Sequence, residues 1–95
     1  MLESKIEAHL KAQVKELGGK CYKWTSPGVR GVPDRIVFLN KQIWFVELKQ
    51  PGGKLSKLQI KFAKDITPYT TNYAVVDSMD SVDKLICRIM IKNMI

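Results

Sequence analysis

A chain of 95 residues has room for one compact core, and 45% apolar with 26% charged residues is the balance of a folded protein, which excludes a disordered or low-complexity chain. No run approaches the roughly 18 consecutive apolar residues of a membrane span, and the opening Met-Leu-Glu-Ser-Lys is too charged to lead a signal peptide, so an intracellular protein is expected. Sixteen Lys and Arg against nine Asp and Glu leave a net charge of +7, which favours an anionic partner such as nucleic acid or an acidic membrane surface.

In chain order, Leu2, Ile6, Leu10, Val14 and Leu17 recur at helical spacing and Gly18-Gly19 stops them, giving an amphipathic helix. Glu3 projects into the apolar stripe of that helix and Glu7 lies at its edge, although a first-turn acid is also what the helix dipole favours. Lys20 to Trp24 alternates weakly as a short strand. Residues 25–33, with two Pro and two Gly, form a loop. Arg35–Leu39 and Gln42–Leu48 are rich in Ile, Val, Phe and Trp, and the intervening Asn40-Lys41 suits the two-residue reversal of a hairpin.

After a loop at Gln50-Pro51-Gly52-Gly53, Ser56-Lys57-Leu58-Gln59 is a capping-box pattern that opens a second helix through Leu58, Phe62, Ala63 and Ile66, closed by Pro68. Asn72–Val76 reads as a short buried strand, and Val82, Leu85, Ile86, Ile89 and Met90 form the stripe of a last helix. The order α-β-β-β-α-β-α implies an α/β fold, a mixed β-sheet flanked by helices, because the helix between the third and fourth strands permits a crossover. The last helix carries more apolar surface than one stripe uses: Cys87 and Ile91 point elsewhere, and with Met94 and Ile95 beyond them they suggest a dimer interface. Cys21 and Cys87 are read as buried apolar fillers, since with His9 the only histidine a zinc site lacks ligands.

From Lys20 to Lys64 there are ten basic residues and only two acids, Asp34 and Glu47. If Asn40 and Lys41 are the turn, Leu39 faces Gln42 and, counting back along both strands, Asp34 faces Glu47. Lys49, two residues on, shares their face. Opposed carboxylates repel unless a proton or a cation lies between them, and a divalent metal in a basic surface would meet the phosphates of DNA or RNA. The competing structural reading has Asp34 capping the strand or turn and Glu47 paired with Lys49 or Arg35. Tyr22 and Trp24 suit the core better than base stacking.

Gly31-Val32-Pro33-Asp34-Arg35, Phe45-Val46-Glu47-Leu48-Lys49 and Gly53-Lys54-Leu55-Ser56-Lys57-Leu58-Gln59, after the opening Glu3-Ser4-Lys5-Ile6-Glu7, resemble the VRR-NUC (viral replication and repair nuclease) domain of the PD-(D/E)xK superfamily. The resemblance implies a restriction-endonuclease-like αβββαβ core making up one domain, residues 1–95, and a Mg²⁺ or Mn²⁺ held by Asp34, Glu47 and the backbone carbonyl of Leu48. It makes Lys49 the active-site lysine, Glu3 or Glu7 the acid of the first helix, and Gln59 the glutamine of the second, where a capping role is the alternative. It further implies a homodimer that cuts branched DNA such as four-way (Holliday) junctions in DNA repair, in the cytoplasm of a bacterium or phage-infected cell. Lys20, Lys23, Arg30, Arg35, Lys54 and Lys57 are the candidate phosphate contacts. The rival readings are a non-catalytic nucleic-acid-binding subunit of the same fold and a flap or RNA nuclease.

Overall fold

A computed structural model describes residues 2–92. Its elements are α1 (Glu3–Glu16), β1 (Lys20–Lys23), β2 (Arg35–Leu39), β3 (Gln42–Leu48), α2 (Lys57–Ile66), β4 (Tyr73–Val76) and α3 (Met79–Ile91), in the order expected. The four strands form one sheet in the order β1-β2-β3-β4. The first three run antiparallel and β4 lies parallel to β3, with α2 in the crossover. No helix among the described residues is long and apolar enough to cross a membrane.

The β2–β3 turn is built as the two-residue reversal requires: Asn40 and Lys41 both take positive φ, 53° and 60°. It sets the pairing Leu39 to Gln42 and Arg35 to Val46. Inward positions on one face of the sheet then fall at Val37, Leu39, Trp44, Val46 and Leu48, and the stripes Ile6-Leu10-Val14 of α1 and Val82-Leu85-Ile86-Ile89 of α3 close over them as the core. Tertiary hydrogen bonds finish this layer. Asn40 Nδ2 and Gln42 Nε2 donate to the carbonyl of Ile89 at 3.0 and 2.9 Å, satisfying the end of α3, while the Gln42 side-chain oxygen accepts from Trp44 Nε1. His9 Nε2 lies 2.7 Å from Asp83 Oδ1, linking α1 to α3.

The opposite face is covered only in part. Helix α2 contributes Phe62, which packs edge-on against Trp24, itself against Phe45, whereas Leu58 and Ile60 of the same helix are exposed. Gly31 anchors the loop before β2 beneath α2: its φ is +81°, and a Cβ there would lie 2.3 Å from the Leu58 carbonyl oxygen.

Several expectations need correction. Cys87 is exposed, because it lies off the buried stripe of α3, and Cys21 is half-buried. Tyr22 is 56% exposed, and its ring meets that of Phe38 edge-on. Strand β4 is an edge strand in which Val76 alone is buried. On α3, Ile91 is exposed as expected, and Met94 and Ile95 lie outside the described residues.

Candidate active site

Alternation along β3 puts Ile43, Phe45 and Glu47 on the face away from α1 and α3, yet Glu47 is only 2% exposed. The register that pairs Arg35 with Val46 brings Asp34, one residue before β2, opposite it. Asp34 is fastened from two sides. Its backbone carbonyl accepts from the Trp24 N–H at 2.9 Å, and its Oδ2 accepts from the Leu48 N–H at 2.9 Å. Glu47 has a different situation: Oε2 is buried and has no hydrogen-bond partner. Burial raises the Glu47 carboxyl from its ordinary 4.5 to about 8, aided by a hydrogen bond to Asp34 and by the Asp34 charge; Lys49 opposes the rise and Glu3 adds to it.

At neutral pH the pair therefore holds a proton between two carboxyl groups, the usual outcome when like charges meet in a desolvated place. A hard divalent cation can take that proton's place. The donor set fits one: two carboxylates, an oxygen left without a partner at Glu47, and the Leu48 carbonyl in the adjoining peptide, all oxygen ligands as Mg²⁺ and Mn²⁺ prefer. No group of three or more His, Cys, Asp or Glu side chains suited to a metal is found among the described residues, so water and substrate oxygens would complete the coordination.

The first-helix acids separate cleanly. Glu7 Oε2 accepts from Arg35 Nε at 2.9 Å, and Arg35 is 8% exposed. Glu3, one turn earlier and exposed, is the acid whose charge acts on Glu47. The Glu7–Arg35 pair ties α1 to β2 and so steers the first turn toward the acid pair. Arg35, expected to contact phosphate, is committed to Glu7 because β2 alternation turns it inward with Val37 and Leu39.

Gln59 completes the capping box: its Oε1 accepts from the Ser56 N–H at 2.8 Å and its own N–H donates to Ser56 Oγ at 3.2 Å. No hydrogen bond joins Gln59 to Asp34 or Glu47 among the described residues, so the capping reading describes its observed bonds. Lys20, Lys23, Arg30, Lys54 and Lys57 are exposed and available to an anion. One neighbour of the acid pair escaped sequence reasoning. The Tyr73 hydroxyl is buried without a partner, and burial with the charges of Glu47 and Asp34 pushes it up to about 12.

A mixed sheet that brings a carboxylate pair and a lysine to the end of a hairpin, within a basic chain, has the framework of a nuclease domain. No family model matches the sequence. The chain is 44% identical over 79 residues to "Putative nuclease p44" of Acyrthosiphon pisum secondary endosymbiont phage 1, covering 82% of this chain and 85% of that protein. It also superposes on a solved VRR_NUC domain with a TM-score of 0.81 at 32% identity, over 88% of this chain and 92% of the other. The chain belongs to the VRR_NUC family of nuclease domains.

Proposed function

We propose that this chain is a Mg²⁺- or Mn²⁺-dependent endonuclease that hydrolyses phosphodiester bonds in branched DNA, four-way junctions among them. The observation that carries the reading is Glu47, a buried carboxyl facing Asp34 with one oxygen unpartnered in a basic segment. Asp34 and Glu47, with the Leu48 carbonyl, would hold the ion. When bound, it would polarise the scissile phosphate and lower the pKa of a water near it.

The chain's own groups supply the rest. The Leu48 N–H fixes one oxygen of Asp34 and so aims the other. Lys49, on the same face, offers an ammonium to the charge that develops on the phosphate or to the attacking water. Glu3 is the first-helix acid of the site. Lys23, Arg30, Lys54 and Lys57 engage backbone phosphates on either side of the cut, which gives binding a steep dependence on salt.

A second copy of the chain would place two such sites on opposed strands of a junction. The exposed Ile91 and Cys87 on α3 are compatible with that contact, and sedimentation tests it. The setting proposed for this activity is the cytoplasm of a bacterium or phage-infected cell, which similarity to a phage nuclease supports, with DNA repair as the proposed role.

Purified protein should be tested on labelled four-way junction, flap, single-strand and duplex DNA, and on RNA, with Mg²⁺, Mn²⁺ or chelator. Paired metal-dependent cuts in the junction are expected, and Asp34→Ala, Glu47→Ala and Lys49→Ala should each abolish them with the fold intact. Cleavage that survives all three substitutions would disprove the assigned site. Binding without cleavage under every condition would favour a non-catalytic nucleic-acid-binding subunit.

A further inference from the structure

Among the described residues, the two buried side-chain polar atoms that lack a partner, Glu47 Oε2 and Tyr73 Oη, belong to one neighbourhood. Strand β4 pairs Tyr73 with Phe45 and Val75 with Glu47, so Tyr73 and Glu47 share a sheet face as diagonal neighbours. That diagonal is within reach of long and aromatic side chains. The phenol is thus an unpaired donor beside an unpaired acceptor.

We propose that Tyr73 is a positioning residue of the acid-pair site, its hydroxyl donating a hydrogen bond to Glu47 Oε2 when Glu47 serves as a metal ligand. The inference rests on the metal-site reading above and deepens it. Of the two ligating carboxylates, Asp34 already has an orienting donor in the Leu48 N–H, whereas Glu47 Oε2 has no partner and the only hydrogen bond seen at the Glu47 carboxyl among the described residues is the shared proton with Asp34, which an ion would displace. A carboxylate without such a donor can turn about its terminal torsion. Fixing it decides which oxygen faces the ion, and donors of this kind commonly change metal affinity 10- to 100-fold.

An ordinary phenol is protonated at neutral pH, so it has a hydrogen to offer a carboxylate. Packing does not require it. A phenylalanine would cover the neighbouring Phe45 as well and would bury no polar atom.

The test is Tyr73→Phe, read by calorimetric titration of Mn²⁺ into the metal-free protein, by cleavage kinetics, and by urea unfolding in chelator. The expected result is a Mn²⁺ dissociation constant raised about 10- to 100-fold. Turnover should fall with KM for DNA unchanged, and the urea midpoint should hold or rise because a lone buried hydroxyl is gone. If the variant binds Mn²⁺ and cleaves like the wild type, the hydroxyl has no positioning role and the inference is overturned while the acid-pair site stands. If the wild type binds no Mn²⁺, the acid-pair reading fails and the role of Tyr73 falls with it.

Discussion

The sharpest consequence of the site concerns Glu47→Gln in the absence of metal. The folded-state pKa of Glu47 is about 8 against an ordinary 4.5, so between these pH values the native chain holds a proton that the unfolded chain has released. Stability must then fall as pH rises across that window, by about 1.4 kcal/mol per pH unit. Relative to acid conditions the loss reaches about 3 kcal/mol at pH 7 and levels off near about 5 kcal/mol once pH passes 8. For a domain whose whole stability is about 5–15 kcal/mol this is a large fraction.

Glutamine keeps the size of the side chain, stays neutral at every pH and can donate to Asp34. Glu47→Gln should therefore match the wild type near pH 4.5 and exceed it by several kcal/mol at pH 8.5. Urea unfolding in chelator at pH 4.5, 7 and 8.5 measures this directly, and comparison with the variant cancels the titrating groups that do not interact with Glu47. Addition of Mn²⁺ should reverse the order at pH 8.5, because the ion stabilises only the protein with both carboxylates and does so more strongly as the competing proton becomes scarce. Parallel pH profiles for the two proteins would refute the argument, since they would mean that Glu47 carries no displaced proton.

Other expectations follow from the remaining geometry. Glu3→Gln should weaken Mn²⁺-dependent cleavage with little change in stability. Glu7→Gln should leave cleavage within a few-fold but cost about 2 kcal/mol in urea unfolding, because it leaves the Arg35 guanidinium buried without its partner. If Glu7→Gln instead abolishes cleavage in a folded protein, the assignment of the two acids is reversed. Gly31→Ala should destabilise by about 2 kcal/mol or more, since it combines a positive φ with a clash against the Leu58 carbonyl; amide exchange should show α2 loosened first. Arg30→Gln, Lys54→Gln and Lys57→Gln should each reduce the slope of log affinity against log salt by about one, and an unchanged slope would remove that residue from the phosphate contacts.

The hairpin and the meeting of Asp34 with Glu47 were legible because both follow from strand alternation and a two-residue turn, which are local. The observed pairing of Leu39 with Gln42 is the one that Asn40-Lys41 predicts. Arg35 was misread as a phosphate ligand although the same alternation turns it inward with Val37 and Leu39. Its charge outweighed its position, and its partner, Glu7, lies on a helix whose docking no local pattern specifies. Glu3 and Glu7 differ by one turn, so only the placement of α1 on the sheet separates them. Tyr73 was invisible for a related reason. Its role depends on β4 lying beside β3, and a sequence with an α2 crossover does not state which strand β4 will join.

Polar satisfaction also sorts the molecule by purpose. At the far end of the sheet, Asn40, Gln42 and Trp44 share their donors and acceptors with one another and with the last turn of α3, and Ser56 with Gln59 closes the start of α2. Among the described residues, the two buried side-chain polar atoms left without a partner sit on the carboxylate face. A chain whose other buried side-chain polar atoms, among the described residues, are partnered but which leaves an acceptor, a donor and an opposed acid in one place departs from the general rule where a ligand would complete it. On the proposed metal-site reading, the departure that makes the metal-free fold lose stability with rising pH would also give a divalent ion its advantage there. The tension that lowers stability and the proposed capacity to bind an ion would then have a single origin, the burial of Glu47 opposite Asp34, and Glu47→Gln should remove both together.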